Sequence, residues 1–552
     1  MNFVNVTIDG LRDIPLFGKQ MTTFAAALFD TVRKGATRLR GLLALPDKEP
    51  FDYPFADSDV ARLHALAPTG EAALDDQTWN DLLLPRYLDS LGGAVSILGR
   101  QELYRRLRGG SRPEECAALG GRLRALGADP ERRARLQAAL RPLRFADTEV
   151  AALLFEGEPP APPAWLAWTW LLPLALLASL AAVILTPFAW LASAAVLYIL
   201  IAGQMRYHER VEAWKRALNT LQMLLLATAE VGAGDADAPA VLREGAAQAA
   251  RLNGGLARSM MARMSPDGGA YGDWFMLSNV THYFRTSALV FAERDFLRAC
   301  YLACAEVEAD LALARHLSTA PQWCWAGRSA DQRIDIDGGV HPLLAAPAGL
   351  SLTLRGRGAF VSGSNGSGKS TFLRMLGLNL VVARAFGFCY ARQAVLPALP
   401  VYASMQNEDS LLDGQSLYMA ELRRARALLA AAEGPHPGIC LIDEIFRGTN
   451  HVESVSAAAA VLDTLAQRAL VVVSSHNLVL ASLLEHRLDA LCLGRGAGGT
   501  LALAPGVLAQ TNGITLLRTH GFGAEVEGKA DRVAAWLHSY LGQPEAGAHV
   551  LG

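Results

Sequence analysis

Val361-Ser362-Gly363-Ser364-Asn365-Gly366-Ser367-Gly368-Lys369-Ser370-Thr371 fits G-x-x-x-x-G-K-[ST] from Gly363 to Ser370. An apolar run, Ala359 to Val361, precedes it, and a helical pattern from Thr371 to Ala385 follows. That strand-loop-helix context is what a phosphate-binding loop requires. Glycines let backbone N–H groups turn inward, and the N-terminus of the next helix adds positive partial charge. Lys369 reaches the β and γ phosphates, and the Ser370 hydroxyl ligates Mg²⁺. The stretch predicts binding of ATP or GTP.

Downstream, Gly438-Ile439-Cys440-Leu441-Ile442-Asp443-Glu444 reads as a buried strand ending in two carboxylates. Asp443 suits the Mg²⁺ shell and Glu444 suits polarisation of the attacking water. Leu470 to His476 reads as a second buried strand whose last residue, His476, is placed to sense the γ-phosphate. A loop, an acid and a base still leave the outer face of that phosphate open to water. A helix N-terminus from a second copy would close it, so ATP is expected to act between two subunits.

With these motifs in this order, the chain resembles the MutS family of mismatch-repair ATPases, within the wider ABC-type class. SGSNGSGKST is similar to the family's phosphate loop, Asn365 included; DEIFRGT, Asp443 to Thr449, to its acidic segment; and VSSHN to its switch-histidine segment. Val340-His341-Pro342-Leu343-Leu344 resembles the HP motif near the adenine, and DGQSLYMAEL, Asp413 to Leu422, the signature helix. The resemblance implies an α/β P-loop NTPase domain of ABC/MutS type that uses ATP and Mg²⁺ as a homodimer, with DNA as candidate partner. It assigns the nucleotide to Gly363, Ser364, Asn365, Gly366, Ser367, Gly368, Lys369, Ser370, Thr371 and His341, with Ser416 donated in trans. Mg²⁺ falls to Ser370 and Asp443, and catalysis to Glu444, His476 and Lys369. Similarity covers roughly Leu74 to His520, excluding the charge-free stretch at 159–205, and includes the lever helices, SILGRQELYRRLR and residues 291 to 316.

Departures are equally specific. Phe446 stands where the family usually has glycine, and Asn450-His451-Val452-Glu453 replaces the usual small and aromatic residues. An N-terminal mismatch-reading domain with its Phe-x-Glu wedge has no counterpart, so direct mismatch reading is not expected.

At 552 residues the chain holds several cores, and its formal charge of -2 predicts no global attraction to nucleic acid. Seven cysteines without a C-x-x-C pair point to a reducing compartment rather than a disulfide framework. Between Arg100 and Arg144, twelve arginines face five acidic residues, a local excess of seven positive charges suited to DNA phosphate, an anionic membrane or plain solvation. Hydrophobic residues make up 51% of the chain, with mean hydropathy +0.20. Pro159 to Met205 contains no Asp, Glu, Lys, Arg or His.

Within that span, residues 164–185 and 188–204 are each long enough to cross most of a ~30 Å hydrocarbon core. They predict a transmembrane helical hairpin turning at Thr186-Pro187, with Trp165, Trp168, Trp170, Trp190 and Tyr198 at the interfaces. Arg206, Arg210, Lys215 and Arg216 then place the flanks in the cytoplasm. The expected organisation is an N-terminal region of unassigned role at 1–73 and an all-α lever domain at 74–158 and 206–324. A two-span anchor at 159–205 interrupts the lever; the ATPase domain occupies 325–515 and a helical tail 516–552. The whole would be a multi-pass inner-membrane ATPase facing the cytoplasm, with DNA or another protein as partner. An ABC-type transport subunit and a nucleotide-gated membrane scaffold without DNA binding are the alternatives.

Overall fold

A computed structural model of the chain describes residues 52–68, 73–258, 272–329, 331–405, 417–434, 438–495, 501–508 and 522–541, with Pro50 and His520. The signature segment Asp413 to Ser416 lies outside the described residues, as does all of the N-terminal region before Pro50. The elements below lie in one compact unit that begins at Asp52.

Its centre is a six-stranded sheet in the order β12-β11-β5-β10-β9-β8. The strands are β5 (Gly358–Gly363), β8 (Val401–Ser404), β9 (Ile439–Asp443), β10 (Leu470–Ser474), β11 (Leu488–Arg495) and β12 (Leu501–Pro505). All neighbours are parallel except β11 and β12, which are antiparallel. A four-stranded sheet, β2-β7-β3-β4, adjoins it in sequence: β2 (Gly327–Ser329), β3 (Arg333–Gly339), β4 (Leu350–Arg355) and β7 (Gln393–Pro397). The short pair β1 (Cys324–Trp325) and β6 (Phe388–Cys389) completes the strands.

The central strands are apolar on both faces because both faces are covered, as parallel sheets require. Ala359, Val361, Leu441 and Val472 enter the larger core, while their neighbours Phe360, Cys440, Ile442 and Val473 enter the smaller one. Gly358 is fixed by crowding: a Cβ there would stand 2.1 Å from the Val471 carbonyl oxygen. The edge strand β8 is not left open to pairing with another chain. Ala403 N–H donates to Thr78 Oγ1 at 2.9 Å and Met405 N–H to Asp81 Oδ2 at 2.9 Å, both from the short helix Asp76–Asp81.

Among the described residues up to Thr319 the regular elements are all helices. The principal ones are α1 (Ile97–Gly109), α2 (Leu171–Ala182), α3 (Trp190–Gly234) and α4 (Arg294–Thr319). Gly109-Gly110 stops α1 with Gly110 at φ 76°, in the left-handed region glycine enters freely. Glu308 of α4 holds the start of α1 by accepting from Gly99 N–H at 3.1 Å and from the Ser96 hydroxyl and N–H.

The transmembrane hairpin is overturned. A helical hairpin is present, but 3-10 turns at Ala164–Trp168 and Pro187–Ala189 divide the charge-free span. That leaves α2 with 12 residues, about 18 Å, short of a ~30 Å hydrocarbon core. α3 is 45 residues long, but it runs without a break from its apolar first part into Arg206, His208, Glu209 and Arg210. Among the described residues no helix is long and apolar enough to cross a membrane. The two-span anchor, the multi-pass inner-membrane placement and the cytoplasmic orientation derived from it therefore fall. Leu166, Leu172 and Val196 pack instead against a small cluster of Leu200, Tyr207, Val211 and Phe284. Ser179 and Ser193 hydrogen-bond across the hairpin at 2.9 Å, while Ile184, Leu185 and Phe188 at its tip are exposed.

Much of the arginine excess is spent inside the fold. Arg106 Nε donates to Glu102 Oε1 at 2.6 Å and Nη1 to Asp310 Oδ1 at 2.9 Å, joining α1 to α4, with all three residues buried. Arg108 lies 4.6 Å from the Trp79 ring centroid and donates to Asp76 Oδ1 at 2.6 Å. Arg105 pairs with Glu102, Arg122 with Asp310 and Glu306, and Arg132 with Asp235. Removing one member of a buried network strands its partners, at about 3–5 kcal/mol. Arg106→Ala should therefore lower unfolding free energy by about that amount, read from urea denaturation midpoints, because Glu102 and Asp310 lose their shared cation.

Candidate nucleotide-binding site

The register of the central strands builds the site. Ser474 at the end of β10 pairs with Val361 of β5 on one side and with Asp443 of β9 on the other. Residues far apart in sequence thus end side by side at the carboxyl edge of the sheet, where open α/β sheets bind ligands.

After β5 the chain turns through Gly363 to Gly368 into α5 (Lys369–Phe386). Gly366 and Gly368 have φ of 75° and 95°, a conformation that side-chain-bearing residues rarely adopt. A Cβ on Gly363 would stand 2.7 Å from Ser367 Oγ and 2.8 Å from the Leu493 carbonyl oxygen, so the loop closes only around glycine. Lys369 Nζ donates to the Gly363 carbonyl at 3.0 Å and the Ser364 carbonyl at 3.4 Å. Burial pushes this amine below the ordinary lysine range, against the opposing pull of the Glu444 and Asp443 charges. Ser370 and Thr371 occupy the first turn of α5, with Asn365 in the loop before it.

At the end of β9, Asp443 Oδ1 accepts from the Ser474 hydroxyl. Glu444 follows with φ 56°, its N–H donating to the Ser474 carbonyl at 2.9 Å. Its Oε1 lies 2.8 Å from His476 Nε2, and its Oε2 lies 3.6 Å from Arg447 Nη1. Lys369, Asp443, Glu444 and His476 are thereby brought into one neighbourhood. Phe446, at φ 58°, also sits in the left-handed region, at about 1–2 kcal/mol for a residue with a side chain. That backbone explains why a glycine suits this position. Its buried ring, edge-on to Tyr418 with centroids 5.9 Å apart, offsets the strain. The neighbouring departure has a local use too: Asn450 Oδ1 accepts from Glu453 N–H at 3.0 Å and caps α7 (His451–Ala466). Tyr418 belongs to α6 (Leu417–Ala432).

His341 stands apart from this group in the fold, on the loop after β3. It is buried, its Nδ1 accepts from Leu343 N–H at 3.3 Å, and Asn379 of α5 holds the preceding Val340 carbonyl at 3.1 Å.

The arrangement has the features of a polyphosphate and hard-cation site. Two glycines open backbone N–H groups, Lys369 and the start of α5 supply positive charge, and the Ser367 hydroxyl is buried without a hydrogen-bond partner that a phosphate oxygen would provide. The Asp443 carboxylate and Ser370 hydroxyl are oxygen ligands of the kind Mg²⁺ takes. Sequence reasoning gave no role to Ser474 or Glu421. Glu421 leaves a signal in the sequence: it shares one helical stripe with Ala425, Leu428 and Ala432, all buried, where an acid needs partners.

Burial, and then the Arg374 charge, push the His341 imidazole down to about 4. The unfolded chain thus binds more protons than the folded one between about pH 6.5 and about 4, so stability is retained above that window and falls as pH drops through it. His341→Gln should flatten this part of the profile, read from denaturation midpoints at pH near 7.5 and 5.

Residues 359–531 match the MutS domain V family. The DNA mismatch repair protein MutS of Thermus aquaticus is 27% identical over 248 residues, 43% of this chain and 30% of that protein. The Granulibacter bethesdensis MutS is 32% identical over 180 residues, 30% of this chain and 19% of that protein. For the Thermotoga maritima MutS the figures are 29% over 165 residues, 28% of this chain and 21% of the relative. The matched part spans less than a third of the length of these relatives.

Proposed function

We propose, from the premise that the chain belongs to the MutS family through its domain V, that it binds and hydrolyses ATP with Mg²⁺ and couples that cycle to its grip on a partner. The observation that carries this reading is the convergence of Lys369, Asp443, Glu444 and His476 at three adjacent parallel strand ends. In it, the backbone of Gly363 to Gly368 with Asn365 and Ser367 binds the phosphates, with Ser370 and Thr371 at the helix start. Lys369 neutralises the developing charge, and Ser370 and Asp443 would hold Mg²⁺, which would supply Lewis-acid stabilisation of the phosphate charge. Glu444 orients and deprotonates the attacking water, and His476, in contact with it, steers that carboxylate. His341 borders the adenine.

A homodimer completes the site by donating Ser416, which lies outside the described residues, to the partner's γ-phosphate. DNA is the partner class to which the relatives' names point. Neutralising Arg106 and Arg108 is unsuited to testing it, since both are buried in internal pairs. The transport reading gains no support from the helices, since among the described residues none is long and apolar enough to cross a membrane.

Lys369→Ala should raise the dissociation constant for ATP at least tenfold, measured by titration calorimetry. In sedimentation runs with ATP and Mg²⁺, Ser416→Ala should bind nucleotide but lose the nucleotide-driven shift to dimer. Retained affinity in the lysine variant removes the site assignment, and a retained shift in the serine variant removes the composite site.

A further inference from the structure

Glu421 sits on α6, one helical turn past its start, with its side chain only 1% exposed. Its two carboxylate oxygens accept from consecutive backbone amides of the loop after β9: Arg447 N–H to Oε1 at 3.1 Å and Gly448 N–H to Oε2 at 3.2 Å. Arg447 lies between two acids, its Nε 3.8 Å from Glu421 Oε1 and its Nη1 3.6 Å from Glu444 Oε2. The loop and helix touch backbone to backbone, since a Cβ on Gly448 would stand 2.7 Å from the Tyr418 amide nitrogen. Just before this clamp the chain holds Glu444 and Phe446 in the left-handed region. Such strain persists only where the surroundings over-determine it, and the buried Glu421 carboxylate would lose its two backbone donors if these amides moved away.

We propose that Glu421 is a positioning residue for Glu444. By clamping Arg447 and Gly448 it keeps the strained segment from relaxing, and so fixes the direction in which the Glu444 carboxylate points. This inference rests on the reading of Glu444 as the group that activates water.

Two readouts on the full-length protein test it in Glu421→Ala and Glu421→Gln. The first is steady-state ATP turnover, and the second is hydrogen-deuterium exchange of peptides spanning residues 443 to 449 without nucleotide. The alanine variant should lose at least tenfold in kcat with KM within about twofold of wild type, and its 443 to 449 amides should exchange faster. Glutamine keeps one carbonyl acceptor and should recover part of both. A merely structural glutamate would change KM and kcat together with global stability. Unchanged exchange at 443 to 449, or unchanged kcat, overturns the proposal. Should Glu421→Ala not fold, the glutamine variant is read by the same two criteria. Wild-type protein without ATP turnover would sink the ATPase reading instead, while the exchange result would still decide whether Glu421 holds the loop.

Discussion

The pairing of Ser474 with Val361 and Asp443 is the constraint on which the rest depends. Because side chains alternate along a strand, a one-residue slip of β10 would exchange Leu470 and Val472, which face the larger core, with Val471 and Val473, which face the smaller. Neither core could accept that exchange unaltered at native packing density. Apolar packing thus sets the register, and the register sets the polar site: it places the Ser474 hydroxyl on Asp443, the Ser474 carbonyl on the Glu444 amide, and His476 against Glu444.

The same sheet is tied to the helical part of the chain through α5. Arg384 Nη2 donates to the Arg108 carbonyl at 3.0 Å, and Ser111 N–H and Oγ return donors to the Arg384 and Ala385 carbonyls at 3.1 and 2.8 Å. Just beyond α5, the Tyr390 hydroxyl meets the Tyr87 hydroxyl at 2.7 Å and His316 Nε2 of α4 at 2.8 Å. The helix that begins at the phosphate loop therefore ends in a hydrogen bond to α1, and the segment just after it bonds to α4.

Several elements were legible in the sequence because local chemistry and tertiary context agree there. Glycine spacing, an apolar run and helical periodicity identified β5, the loop and α5; continuous apolar runs ending in polar residues identified β9 and β10. The membrane hairpin was misread because an absence of charge over Pro159 to Met205 reports composition and not element length. The 3-10 stretch Ala164–Trp168 shortens the first run, a break that alanine, leucine and tryptophan do not announce. The arginine excess misled for a related reason. Glu306 and Asp310 of α4 and Asp235, which neutralise Arg106, Arg122 and Arg132, lie far along the chain, so a local charge count could not see them. Phe446 was noticed as a departure, but its positive φ and the Tyr418 contact follow only from the folded loop.

The central claim is that Glu444 is the catalytic carboxylate of a Mg²⁺-dependent ATP site at the end of β9. The most direct measurement is single-turnover ATP hydrolysis by Glu444→Gln beside its equilibrium affinity for ATP. The account predicts a rate at least 10²-fold below wild type, with the ATP dissociation constant within about threefold. Hydrolysis within a few-fold of wild type would contradict it.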